Sequence, residues 1–251
     1  MVKLMATTSE TIAATASRIN ETGARFMMHP ESNDLGAQAG YRNPFEFYCI
    51  GRGGVLGDVD ADVVVSAFGY FAPSLVRRYW ESGREVQSPR DGAVLFARSC
   101  ADWGRKHLAT TKGLERLAEL GEKIIDAAEP AALALFTGWR AEPLPEDGPG
   151  RAYQVLHVLR EFRGSAHLVA VLAAGLTPFQ AHTAKEGAVG AKQFGWRTEV
   201  SDIAGATERL ARAEELTDEL VMTAFSALTP TEGDEFVALV DAAHKDAMRE
   251  G

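Results

Sequence analysis

One short pattern constrains this chain more than any other: a capping residue, then proline, then an acid or amide two places on. It occurs at Asn43-Pro44-Phe45-Glu46, Ser88-Pro89-Arg90-Asp91, Thr177-Pro178-Phe179-Gln180 and Thr229-Pro230-Thr231-Glu232. The cap side chain accepts from backbone N–H groups that the first helical turn leaves orphaned. Proline sits where no N–H is needed, and the third side chain can reach back to the cap. Four such starts spread along the chain point to helices throughout.

The apolar spacing between them is helical. It predicts helices over Ser9–Thr22, Asn43–Ile50, Ala61–Phe71, Pro73–Ser82, Pro89–Leu108, Leu114–Ala128 and Pro130–Thr137. The longest runs over Arg151–Ala174, followed by Pro178–Glu186, Ala204–Ala227 and Thr231–Met248. Gly23, Gly83, Gly138 and Gly175 stand where helices should stop. Val63-Val64-Val65 is β-branched, but Asp60 can cap the run and Ser66-Ala67-Phe68 continues it as helix. The expected fold class is all-α, a multi-helix bundle of about ten helices.

The stretch from Ala141 to Gly150 carries Pro143, Pro145 and Pro149 and reads as an ordered connector or a loop over a pocket. It divides the chain into helical subdomains 1–140 and 141–251, unless one core runs through both. A second loop is expected over Gly187–Asp202.

Hydrophobic residues at 46% and charged residues at 24% are those of a globular chain, and 251 residues suffice for a full core. The net charge of −9 lowers the expectation of nucleic-acid binding, which draws on Lys and Arg. Cys49 and Cys100 lie in apolar helical segments and read as buried free thiols. There is no CxxC, no HExxH and no GxSxG, so no metal site, zincin or α/β-hydrolase is expected. The N-terminus has no apolar signal core and no run approaches the ~18 residues of a membrane span. The expected location is the cytoplasm.

Five features could carry chemistry. Gly51-Arg52-Gly53-Gly54-Val55-Leu56-Gly57 is glycine-rich, but Leu56 fills the last position of the dinucleotide pattern and the segment before it is helical. It reads as a tight turn in which Arg52 can hold an anion or pin a carboxylate. Asp58, Asp60 and Asp62 lack the Gly and Glu of a calcium loop and read as helix N-terminal acids. On the helix 151–174, at about 100° per residue, Val155, Val158, Leu159, Phe162, Ala166 and Val169 share one face. His157, Arg160, Arg163 and His167 form a basic stripe on another, with Glu161 at its edge. Aromatics cluster at Phe45, Phe47, Tyr48, Phe68, Tyr70, Phe71, Tyr79 and Trp80, with Trp139-Arg140 after a helix end; they form core or wall an apolar pocket. His29, with Glu31 and Asp34 nearby, reads as a surface loop histidine, as do His107, His182 and His244.

Gly51–Gly57 running on to Phe71, Trp139-Arg140, Leu159-Arg160-Glu161-Phe162-Arg163-Gly164 with His167, Gly175-Leu176-Thr177-Pro178 and Phe194-Gly195-Trp196 together resemble an actinobacterial family of all-helical proteins. The resemblance spans about Gly40 to Leu228. It implies a helix-turn-helix-like C-terminal part reminiscent of MarR-type regulators, here a degenerate winged helix, and brings no activity with it. The family pattern has histidine where Phe162 stands, so the resemblance implies a lost or altered function at that position.

The reading from these features is a protein that binds a small, largely apolar molecule with an anionic end, with enzyme activity left open. Arg52, Tyr70, Trp139, Arg160 and Arg163 are the candidate binding residues, and His167 the candidate acid/base. No cofactor is expected; haem or a metal through His157, His167 or His29 is an alternative. A helix-turn-helix-derived transcriptional regulator is another. However, Ala204–Ala227 reads as one acidic helix with Glu208, Glu214, Glu215, Asp218 and Glu219, so nucleic acid is not an expected partner. A homodimer through Ala204–Ala227 and Thr231–Met248 is expected.

Overall fold

The computed structural model describes residues 7–197 and 204–249. Among them are twelve α-helices and no strand. In order they are α1 (Thr8–Ala24), α2 (Pro30–Gln38), α3 (Pro44–Gly53), a 3-10 turn (Gly54–Leu56), α4 (Ala61–Phe68), α5 (Pro73–Arg84) and α6 (Pro89–His107). Then come α7 (Leu114–Ala127), α8 (Ala134–Arg140), α9 (Gly148–Ala173), α10 (Pro178–Gln193), α11 (Ala206–Phe225) and α12 (Pro230–Ala247).

The caps form as the sequence requires. Asn43 accepts from the backbone N–H of Phe45 and Glu46, and Ser88 from that of Asp91. Thr177 with Gln180 and Thr229 with Glu232 complete reciprocal capping boxes, and so do Thr7 and Glu10. The all-helical expectation holds. One helix, α2, lies outside the predicted set: its cap is His29, an unusual residue for that place, with Pro30 at the first position.

The helix α9 is the axis of the molecule, packed by α1, α6, α7, α8 and α11. Every residue from Ala152 to Leu159 is buried, whereas the spacing argument gives this helix one dry and one wet face. A helix covered on all sides has no solvent stripe. The main core joins residues before and after the 141–147 connector, among them Trp80, Trp103, Trp139, Tyr153 and Phe236. A smaller cluster of Ala170, Val171, Leu176, Ala181, Ala206 and Ala213 seats α10 and α11 on the end of α9.

The glycines at 51–54 are spacers rather than a phosphate cradle. A Cβ on Gly51 would stand 2.5 Å from the Phe96 ring, and one on Gly54 only 1.9 Å from the carbonyl oxygen of Pro89. They let α3 and the 3-10 turn lie directly on α6. Only Gly57, at φ 86°, serves the expected tight turn. The loop expected from Gly187 is instead a kink: Gly187 takes φ 71°, ψ −178°, and helix resumes to Gln193. The rest of that expected loop includes 198–203, outside the described residues.

No helix among the described residues is long and apolar enough to cross a membrane. Both cysteines are free and buried. Burial raises both thiol pKa values, which suits inert core residues.

Candidate ligand-binding site

Glu161 organises the centre of the site. Its side chain is wholly buried on α9. Arg52, near the end of α3, grips it with two parallel bonds, Nε to Oε1 at 3.0 Å and Nη2 to Oε2 at 2.9 Å. Arg160 adds a third at 2.7 Å, and Arg52 donates to the Tyr48 hydroxyl at 3.1 Å. Burial alone would raise the Glu161 carboxyl, but the two guanidiniums outweigh it and hold the group well below the usual carboxylate range. The Arg52 guanidinium also lies 4.7 Å from the centre of the Phe68 ring.

Above this triad opens a cleft of about 300 Å³ between α3, the α4–α5 link, α9 and α10. Tyr48, Phe68, Phe71 and Phe194 wall it, with the Phe71 and Phe194 rings stacked at 4.5 Å. Three polar atoms of residues lining it are buried without a hydrogen-bond partner: the Tyr70 hydroxyl, His182 Nε2 and Arg160 Nε. Buried polar groups are nearly always paired, so these three stand out among the residues of the cleft.

A second cleft of about 400 Å³ opens between α1, α9 and α11. Arg160, Gly164, His167 and Lys185 line both clefts. Nothing stands within 4 Å of where a Cβ on Gly164 would lie, so the space beside this shared lining residue is open. His167 reaches Thr217 Oγ1 through Nδ1 at 2.8 Å. The Thr217 hydroxyl already donates its one hydrogen to the carbonyl of Ala213 at 2.6 Å. It therefore accepts from His167, which puts the ring proton on Nδ1 and leaves Nε2 as the basic nitrogen. Burial lowers the His167 pKa, partly opposed by Glu214, whose carboxylate is 3.7 Å from Nε2.

The structure thus brings Arg52, Tyr70, Arg160 and His167 to one cleft. Arg163 lines the second cleft alone, paired to Glu214 and Asp218. Trp139 lines neither: it is fully buried and donates through Nε1 to the backbone carbonyl of Arg52 at 3.2 Å. Nor is Arg52 in a turn; it is helical, and three of its five N–H donors are committed to Glu161 and Tyr48. His157 is no part of a basic stripe. It is a core residue with Nδ1 at 3.2 Å from the carbonyl of Gly23 and its ring edge-on to Trp139 and Phe26. Phe162 packs on Phe136 with centroids 4.8 Å apart, on the apolar side as expected. Asp60 caps α4, while Asp58 and Asp62 pair with Arg84 and Arg77.

The sequence pattern does not give Glu161 as the hub, and it puts His182 on the surface. A signal for His182 exists: Ala181, His182, Lys185 and Glu186 are spaced as one helical face after the Thr177 cap, and all four line the cleft. His107, also expected on the surface, is buried.

No curated protein and no solved structure matches the chain. A family model does, over residues 12–211, which include every residue of the cleft. By that match the chain belongs to a helix-turn-helix family.

Proposed function

We propose that this helix-turn-helix family member binds a small molecule with a flat apolar body and an anionic end in the cleft between α3, the α4–α5 link, α9 and α10. The observation that supports the reading is that one aromatic-walled cleft is lined by three residues, Tyr70, Arg160 and His182, each with a buried polar atom lacking a partner. A volume of about 300 Å³ falls at the lower end of small-ligand sites. Arg160 and Lys185 supply positive charge at the open side, and Glu161 keeps Arg160 in place. Arg52 acts through Glu161 rather than on the ligand. If the bound molecule reacts, His167 Nε2 is the group placed to move a proton.

The probe is 2-naphthoate, titrated by calorimetry into the wild-type chain, with native mass spectrometry of the fresh protein alongside. Saturable binding is expected. Arg160→Ala should weaken it about tenfold or more, as a lost hydrogen bond to a charged group does. Gly164→Phe should abolish it by filling the open space at the cleft lining. Absence of saturable binding, or binding indifferent to both substitutions, overturns the reading.

A transcriptional regulator is the second reading, favoured by the family and by one local feature. The helices α4 and α5 are joined by the four residues Gly69–Ala72, with Gly69 at φ 57°. A short link containing glycine is what a helix-turn-helix pair needs. The link also carries Tyr70 and Phe71 into the cleft, so the two readings meet there: an occupant would bear on the link that leads into α5.

A further inference from the structure

A separate cluster lies at the C-terminal end of α6. His29 and Glu31 flank Pro30 where α2 begins, and His107 is the last residue of α6. One ligand atom from each lies within 4.8 Å of the others. We propose that His29, Glu31 and His107 bind a divalent transition-metal ion, Zn²⁺ in the first place, and that the ion ties the start of α2 to the end of α6.

The distances are close to what a metal needs. With bonds of ~2.1 Å, tetrahedral ligands stand about 3.4 Å apart. Glu31 Oε2 is 3.1 Å from His107 Nε2 and 3.9 Å from His29 Nδ1. The surroundings fit too. The Lys106 ammonium pairs with Oε1 of Glu31, which orients the carboxylate and leaves Oε2 for the ion. Hydrogen-bonded carboxylates of this kind are the usual support of a metal ligand. Trp103 stacks on the His107 ring at 4.3 Å and meets the His29 ring edge-on at 6.1 Å, which fixes both imidazoles.

The hydrogen bond that His29 Nδ1 accepts from the Glu31 N–H is long, at 3.4 Å, so turning that lone pair to an ion sacrifices little. Two imidazoles and one carboxylate favour zinc, nickel, copper or iron over calcium and magnesium. Three protein ligands leave a fourth position for water, and the partly exposed Glu31 side chain keeps that position reachable.

The test uses tag-free protein and Co²⁺ as a spectroscopic probe, with Zn²⁺ followed by calorimetry. One equivalent of Co²⁺ should give visible absorption bands of a four-coordinate site. Zn²⁺ should displace it and raise the thermal midpoint. His29→Ala and Glu31→Gln are the variants of choice, because both side chains are partly exposed and circular dichroism can verify their fold. Each should weaken binding by more than about tenfold. His244→Ala, at a histidine that contacts Thr22 and Glu21, should leave it unchanged. No stoichiometric binding to the wild type, or equal binding by either His29→Ala or Glu31→Gln, overturns the proposal.

Discussion

Glu161 has no solvent exposure, and two guanidinium groups take its carboxylate oxygens. Burying a charge is tolerable only with that pairing, so removing a partner costs far more than the pair contributes. Arg52→Ala should destabilise the fold by about 3–5 kcal/mol in urea unfolding. Arg163→Ala, which breaks pairs to half-exposed Glu214 and Asp218, should cost about 1 kcal/mol or less. Equal costs for the two would show that the Arg52–Glu161 pair is not the buried hub described. His157 gives a pH signature. Burial lowers its pKa from 6.5 to about 4, so the folded state binds the proton less readily than the unfolded chain. Its contribution is complete above about pH 6.5 and is lost as pH falls through about 4, which at ~1.4 kcal/mol per unit is roughly 3 kcal/mol. His157→Phe should flatten stability between pH 6.5 and 4 relative to wild type. An unchanged slope would assign the acid sensitivity to other groups, such as His167.

At the scale of elements, most of the fold is legible in the sequence because its signals are local. A cap, a proline and an apolar period lie within one stretch of chain, and α3, α6, α10 and α12 start where their caps say. What covers a helix is not local. A helical wheel of α9 puts Glu161 at the edge of a wet face, because nothing in the residues around it tells that α1, α6, α7, α8 and α11 enclose it. For the same reason Arg160 and His167 stand out in the sequence as a basic stripe, while the groups they pair with, Glu161 and Thr217, do not. The glycines divide likewise. Gly54 and Gly164 look alike in sequence, yet one meets Pro89 and the other meets open space. Gly164→Ala should therefore stabilise the chain by about 0.5–1 kcal/mol, because alanine suits a helix interior better. Gly54→Ala should destabilise it by about 1–3 kcal/mol by forcing α3 off α6. Thermal and urea unfolding of the two variants should show opposite signs; the same sign for both would mean that the α3–α6 contact or the open cleft is misplaced.

Across the whole molecule the net charge of −9 and the helix-turn-helix family pull in opposite directions. Helix α5, which follows the α4–α5 link, carries Arg77, Arg78 and Arg84. Two of them are already paired: Arg77 Nε lies 2.5 Å from Asp62 and Arg84 Nη2 lies 2.7 Å from Asp58. A homodimer through α11 and α12, the expectation from sequence, would have to use what these helices leave outside, since Val221, Ala224, Phe236 and Val240 are buried within the chain while Leu220 and Met222 stay exposed. A phosphate backbone approaching α5 would have to compete with Asp58 and Asp62 for the same guanidiniums, and every phosphate that the protein neutralises adds to the salt dependence. Wild-type protein should therefore bind a mixed-sequence duplex weakly at about 0.15 M salt, with a shallow slope of log affinity against log salt. Asp58→Asn with Asp62→Asn releases Arg77, leaves Arg84 only its 3.6 Å pair with Glu81, and removes two negative charges. That variant should bind more tightly, and its slope should steepen by about 0.9 for each phosphate newly neutralised. Asp60 caps α4 and is left intact, so the helix itself should survive. Fluorescence anisotropy over a salt series measures both quantities. Tight, steeply salt-dependent binding by the wild type would mean that the aspartates release α5 on contact with DNA, and the regulator reading would then take precedence over ligand binding alone.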